Sequence, residues 1–212
     1  MKTDDLIAAL TADAPAVSQP ITRTVVACVG AGALAAALLF YLMLGMRPDV
    51  MSAMGTPRFA FKIVSMLVLF ASAFALMLHV VRPQAVSPGW IAALAIAPAL
   101  IIIATIAELF AVPSGEWMGR LMGRAYVACL VLIPTLSALP LVATLFAMRQ
   151  GAPSHPALAG AVAGLVAGGI GASLYGTHCV EDSPLFVATW YVIGIAFITA
   201  VGAIAGSRIL RW

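Results

Sequence analysis

Six long apolar runs, separated by short polar breaks, organise the chain: roughly 24–46, 59–81, 90–110, 123–147, 157–175 and 186–207. Each is close to the ~20 residues that a helix needs to cross a bilayer core. The breaks are "RPDVMSAMGTPR", "RPQAVSPGW", "AVPSGEWMGR", "RQGAPSHP" and "GTHCVEDSP", and Pro or Gly punctuates nearly all of them. The last run ends in "SRILRW", whose arginines and Trp212 suit an interfacial anchor. The pattern predicts an all-α, polytopic membrane protein. Residues 1–23 form a short N-terminal segment, and residues 24–212 form a bundle of six transmembrane helices. An even number of spans puts both termini on one side of the membrane.

Within the runs, small residues and prolines refine this picture. Gly160, Gly164 and Gly168 recur every four residues, so they share one face of the fifth helix. In a bilayer, where lipid supplies no hydrophobic drive for helix pairing, such a face lets a neighbouring helix approach closely. Pro98, Pro134 and Pro140 lie inside the third and fourth runs and predict kinks there. Outside the runs, "MKTDDLIAALTADAPAVSQP" is the one sizeable extramembrane piece. Thr3 can cap a helix whose first turn holds Asp4 and Asp5, both favourable to the positive end of the dipole. Leu6, Ile7 and Leu10 then fall on one face, and Pro15 limits the helix to about three turns. An apolar stripe with an acidic start suits a partner's groove; a frayed or membrane-surface tail is the alternative.

Composition agrees with the spans and narrows the function. Of 212 residues, 63% are hydrophobic and 9% charged, with a mean hydropathy of +1.10, too little charge to cover a soluble domain. A formal charge of +3, thinly scattered, argues against direct nucleic-acid binding. Cys28, Cys129 and Cys179 have no framework spacing and no CxxC pair, which excludes a disulfide-rich fold. The first run follows an acidic segment and is too long for a signal-peptide core. Charge does not orient the bundle. Lys2, Arg23, Arg82, Arg149, Arg208 and Arg211 fall on the N-terminal side, against Arg47, Arg58, Lys62, Arg120 and Arg124 on the other.

Chemistry concentrates in "YGTHCVEDSPLFVATWY", which holds His178, Cys179, Glu181 and Asp182. Given the spans, this fifth break shares a side with the third. Cys129 then lies about 7–8 Å inside the fourth helix from Arg124, at 1.5 Å per residue. Glu108, within the third span, lies at a similar depth, and an ionisable group inside a span is a functional candidate unless it snorkels. Two thiols and an imidazole are ligands for copper, zinc or cadmium, and the same thiols can join as a disulfide if their Cα atoms approach within about 7 Å. Either event would tie the fourth helix to the break before the sixth. The alternative is that each cysteine is a small apolar filler and the acidic loop is simply solvated. Cys28 lies at the opposite end and reads as packing, His79 as interfacial and His155 as a loop residue.

No HExxH, GxSxG or Walker loop is present, and the chain reads as a non-enzyme with no assigned cofactor. Two other functions fit the same residues. A small metal or cation transporter would use Glu108, Pro98 and the kinked fourth helix. A membrane thiol oxidoreductase would turn over Cys129 and Cys179, although no cofactor motif accompanies them.

The start "MKTDDLIAALTADA", the middle "GRAYVACLVLIPTLSALPL" and the end "YGTHCVEDSPLFVATWY" together resemble the NrsF family, membrane-embedded anti-sigma factors of extracytoplasmic-function sigma factors. With six spans in matching order, the resemblance covers essentially the whole chain. It implies a protein of the bacterial inner membrane with both termini cytoplasmic, whose N-terminal segment holds the sigma factor. It also implies that Cys129 and Cys179 respond on the periplasmic side to heavy metal or oxidative stress and trigger release. Cys28 has no counterpart in the pattern.

Overall fold

The computed structural model describes residue 3 and residues 21–82 and 88–211. The expected N-terminal helix, with Asp4, Asp5, Leu6, Ile7 and Leu10, lies outside the described residues, as does Trp212. The described residues form an all-helical fold with six helices long and apolar enough to cross a membrane: α1 (Ile21–Met43), α2 (Pro57–Val80), α3 (Pro88–Ala111), α4 (Tyr126–Met148), α5 (Pro156–His178) and α6 (Pro184–Ile209).

Proline sets several of the boundaries. Pro57, Pro156 and Pro184 each stand at the start of a helix, where a missing N–H costs nothing, and the helices begin one or two residues before the apolar runs do. Thr56 caps α2 by accepting from the Phe59 amide at 3.4 Å. Inside α3, Pro98 cannot donate to the Leu94 carbonyl, and the α-helix is interrupted at Ala95, whose amide bonds back only three residues to Ala92 at 3.0 Å. By contrast, α4 runs without interruption through Pro134 and Pro140. There the hydroxyls of Thr135, Ser137 and Thr144 bond carbonyls one turn back, at 2.7, 2.7 and 2.6 Å, giving this proline-bearing helix extra internal hydrogen bonds. One feature has no counterpart in the sequence pattern. Val187–Tyr191 of α6 is a π-helical stretch.

The centre of the bundle is α5, packed against α6, α4 and α2 and more buried than any other span. Glycine makes this possible on three sides. A Cβ at Gly160 would stand 2.2 Å from the Gly202 carbonyl oxygen of α6, and one at Gly164 would stand 2.6 Å from Thr199 Cα. Gly168 continues the same face against the side chains of Ile195 and Ile198. On the other two sides, a Cβ at Gly169 would meet Phe70 Cα of α2 at 2.9 Å, and one at Gly171 would meet Ser137 Oγ of α4 at 2.2 Å. α1 lies against α4, while α3 sits at the periphery against α2 and the start of α6.

The up-and-down order gathers the breaks at two ends. At one end, the start of α1 meets the end of α2 through Arg82 and Thr22 (2.8 Å), and Gly206 of α6 reaches Pro156 of α5. The other end carries the α1–α2, α3–α4 and α5–α6 connections. Gly123, at φ 52° in the α3–α4 connection, turns the chain into α4 against the ring of Phe186.

Closeness of this kind leaves no room for a methyl group. Gly160→Ala should destabilise the bundle by about 1–3 kcal/mol. Gly30→Ala, where nothing lies within 4 Å of the added Cβ, should leave stability unchanged or slightly raised. Thermal unfolding of the two variants in one detergent compares them directly.

Candidate functional site

The end of the bundle with the three connections bears nearly all the buried charge. Lys62, one turn and a half into α2, is fully buried, and Arg47 and Glu108 are buried with it. In so apolar a chain each charge needs partners, because an isolated buried ion is far too costly. The turn after α5 provides them. Lys62 Nζ donates to the Cys179 carbonyl at 2.9 Å, to the Glu181 carbonyl at 3.3 Å and to the Asp182 carboxylate. Arg47 pairs with Asp182 at 2.8 Å and with Asp49 at 2.7 Å, and its backbone amide bonds the Thr177 carbonyl at 3.1 Å. Phe59 lies under both cations, 5.8 Å from the Arg47 guanidinium and 5.2 Å from Lys62 Nζ.

A second hub holds the start of α6. Glu108 accepts from Ser183 Oγ at 2.6 Å and from the Leu185 amide at 3.0 Å, and faces Arg120 at 3.4 Å and Arg58 at 3.6 Å. Both carboxylate oxygens are engaged, so Glu108 fastens α3, α2 and the α6 start together. Glu181 in turn accepts from the Arg124 amide at 2.9 Å.

Between these hubs lie the thiols. Cys129 projects from α4 and Cys179 closes α5, both buried and both free. Cys129 and Cys179 lie in one packed cluster, and Cys129 donates to the Tyr175 hydroxyl at 3.5 Å. Phe186, Tyr175 and Tyr191 belong to the same packed cluster. The Tyr191 hydroxyl is buried with no hydrogen-bond partner among the described residues. The neighbouring Cys129 draws the Cys179 thiol below its ordinary value. Burial opposes this, while the Glu181 amide, the charge of Lys62 and the Tyr191 hydroxyl add to it.

The residues singled out in the sequence therefore separate into three groups. Cys129 and Cys179 come together. His178 turns away from them, with Nδ1 2.9 Å from the Gly45 carbonyl oxygen. Glu181, Asp182 and Glu108 are committed to Arg124, to Lys62 and Arg47, and to the α6 start. Among the described residues no three His, Cys, Asp or Glu side chains gather as they would around a metal ion. What the site offers a soft ion is two sulfurs, sufficient for two-coordinate thiolate ligation. Lys62, Arg47, Tyr175 and Tyr191 escaped the sequence reading. The signal for Lys62 was present, since the rule that singled out Glu108, an ionisable group within a span, applies to it equally.

Asp182→Ala would strand a buried ammonium and should cost about 3–5 kcal/mol. Adding Lys62→Met removes the stranded charge and should recover part of the loss. Thermal unfolding measures both; a double variant less stable than the single one would mean that the carboxylate is not needed for the ammonium.

Comparison with known proteins bears on this arrangement. A family model described as negative regulator of sigma F matches residues 10–212. The chain is 36% identical over 216 residues to a protein of Azospira oryzae named probable anti-sigma-F factor NrsF, with all of both chains covered. It is 34% identical over 215 residues to the anti-sigma-F factor NrsF of Caulobacter vibrioides, again with all of both chains covered. No solved structure matches. On a match of this extent, the chain belongs to the NrsF family of negative regulators of sigma F.

Proposed function

We propose that this chain is an inner-membrane anti-sigma factor. It holds an extracytoplasmic-function sigma factor through its cytoplasmic N-terminal segment and releases it when Cys129 and Cys179 react with a heavy-metal ion or an oxidant on the periplasmic side. The observation that carries this reading is that the two buried cysteines share one packed cluster at the end of the bundle opposite the start of α1. Between that end and the N-terminal segment lies a helix of 23 residues, about 35 Å at 1.5 Å per residue. The thiols are then receivers, and the bundle between them and the segment is the transmitter.

The chemistry suits such a role. A soft ion bridging the sulfurs, or a disulfide joining them, would draw α4 toward the turn after α5. That turn is fastened to the α1–α2 connection and to α2 through Asp182. Moving a two-state equilibrium from 1:99 to 99:1 takes about 5.5 kcal/mol of differential binding. Full structural zinc sites have apparent energies of about 10–16 kcal/mol, so two metal–sulfur bonds are of the right order.

Removing residues 2–14 should abolish co-purification with the sigma factor, and retained binding would refute the N-terminal mechanism. Cys129→Ser and Cys179→Ser should each keep the sigma factor sequestered while abolishing its release under metal or oxidant, read from a sigma-dependent reporter. Normal induction in both variants would rule out the thiol site.

A further inference from the structure

One buried polar group at this end of the bundle is left without a partner. Tyr191 is fully buried, and among the described residues its hydroxyl is the one buried side-chain oxygen or nitrogen that makes no hydrogen bond. Folded proteins rarely keep such a group, because water is lost and nothing replaces it. Tyr175, whose ring centroid lies 5.8 Å from that of Tyr191, is not in this position: its hydroxyl accepts from Cys129 Sγ at 3.5 Å.

Contacts on two sides locate the unpaired hydroxyl. On the α5 side, a Cβ at Gly176 would stand 3.9 Å from the Tyr191 hydroxyl oxygen and 3.8 Å from Lys62 Cε. Cys179 follows three residues later, and its amide still bonds the Tyr175 carbonyl at 2.9 Å. It is therefore the next residue on the helix face that the hydroxyl meets. On the α4 side, Gly194 lies one turn beyond Tyr191 in α6. A Cβ there would stand 3.4 Å from Ile133 Cβ and 3.6 Å from the Cys129 carbonyl oxygen. Tyr191 stands between α4 at Cys129 and the end of α5 at Cys179, in the packed cluster that holds both thiols.

Sulfur changes as an acceptor when its proton is replaced. A neutral thiol accepts weakly, whereas a metal-bound thiolate carries charge and takes a donor strongly. We propose that Tyr191 is a positioning residue of the thiol site, a hydrogen-bond donor kept unpaired beside the free thiols and taken up by sulfur once a soft metal ion binds. The inference rests on the sensor reading above and adds a residue to it. With cadmium ion as the metal, two Cd–S bonds form and the two thiol protons leave to solvent, with no change of oxidation state. The Tyr191 O–H keeps its own proton and donates to a thiolate sulfur. Its lack of a partner raises the free energy of the metal-free state, and its pairing lowers that of the metal-bound state. Both effects favour binding.

The test uses the purified full-length chain carrying Cys28→Ser, in which Cys129 and Cys179 are the remaining thiols. Thermal unfolding is measured without metal, and cadmium ion is then titrated and followed by the sulfur-to-cadmium charge-transfer absorption. Tyr191→Phe should raise the metal-free unfolding midpoint by about 2–4 °C. The same variant should bind cadmium about tenfold more weakly, as when a metal ligand loses its outer hydrogen bond. Tyr175→Phe, which removes a hydroxyl that has a partner, should lower the metal-free midpoint instead. A ring that only fills space does not move stability and affinity in opposite directions. A midpoint for Tyr191→Phe that is unchanged or lower, or an affinity that is unchanged or higher, would overturn the proposal and leave the sensor reading standing. The sensor reading fails on a different result. If the chain with Tyr191 intact gives no absorption with cadmium, or keeps it after Cys129→Ser and Cys179→Ser together, the pair does not bind the ion, and the role of Tyr191 falls with it.

Discussion

The ammonium of Lys62, buried in an otherwise apolar bundle, dictates how one whole end of the protein is built. Hydrocarbon cannot solvate it, so protein oxygens must, and they come from the turn that joins α5 to α6. Once the turn is wound about that charge, its two ends are fixed. Cys179 is delivered to the packed cluster that holds Cys129, and Asp182 is left to collect Arg47 from the α1–α2 connection. Glu108 repeats the logic a few residues later by catching the Ser183 hydroxyl and the Leu185 amide of α6. Three connections distant in sequence are thereby tied by two carboxylates.

Below this polar cap, cohesion is of another kind. α5 is glycine-rich along its packed faces, and at those glycines its neighbours approach its backbone directly. Such contacts gain from dispersion and tolerate little change in spacing. A displacement imposed on α5 at the capped end therefore reaches α2, α4 and α6 together, because at Gly160, Gly164, Gly169 and Gly171 the neighbouring helix lies directly against its backbone.

Much of this architecture was legible in the chain. The spans follow from run length, and their starts are sharpened by Pro57, Pro156 and Pro184, whose chemistry favours the first helical position. The glycine face of α5 was visible as a period of four, although its partner glycines on α6, Gly202 and Gly206, were not paired with it. The site was only half legible. That Cys129 and Cys179 fall at one end follows from counting spans, but that they touch depends on where the turn is anchored, and Lys62 does the anchoring. His178 was misleading for a local reason. One residue from Cys179, it completes the last turn of α5, and its ring serves the Gly45 carbonyl instead.

The π-helical stretch at Val187–Tyr191 has its own consequence for α6. Each residue of a regular α-helix advances the azimuth by about 100°, so one surplus residue in a wide turn re-indexes everything beyond it. Upstream of that offset the helix is docked by Leu185 and Phe186, and downstream it must present Gly202 and Gly206 to α5. The widened turn reconciles two phases that an unbroken α-helix of the same residues would not satisfy together, and it places Tyr191 at the junction between them, against the sulfur pair.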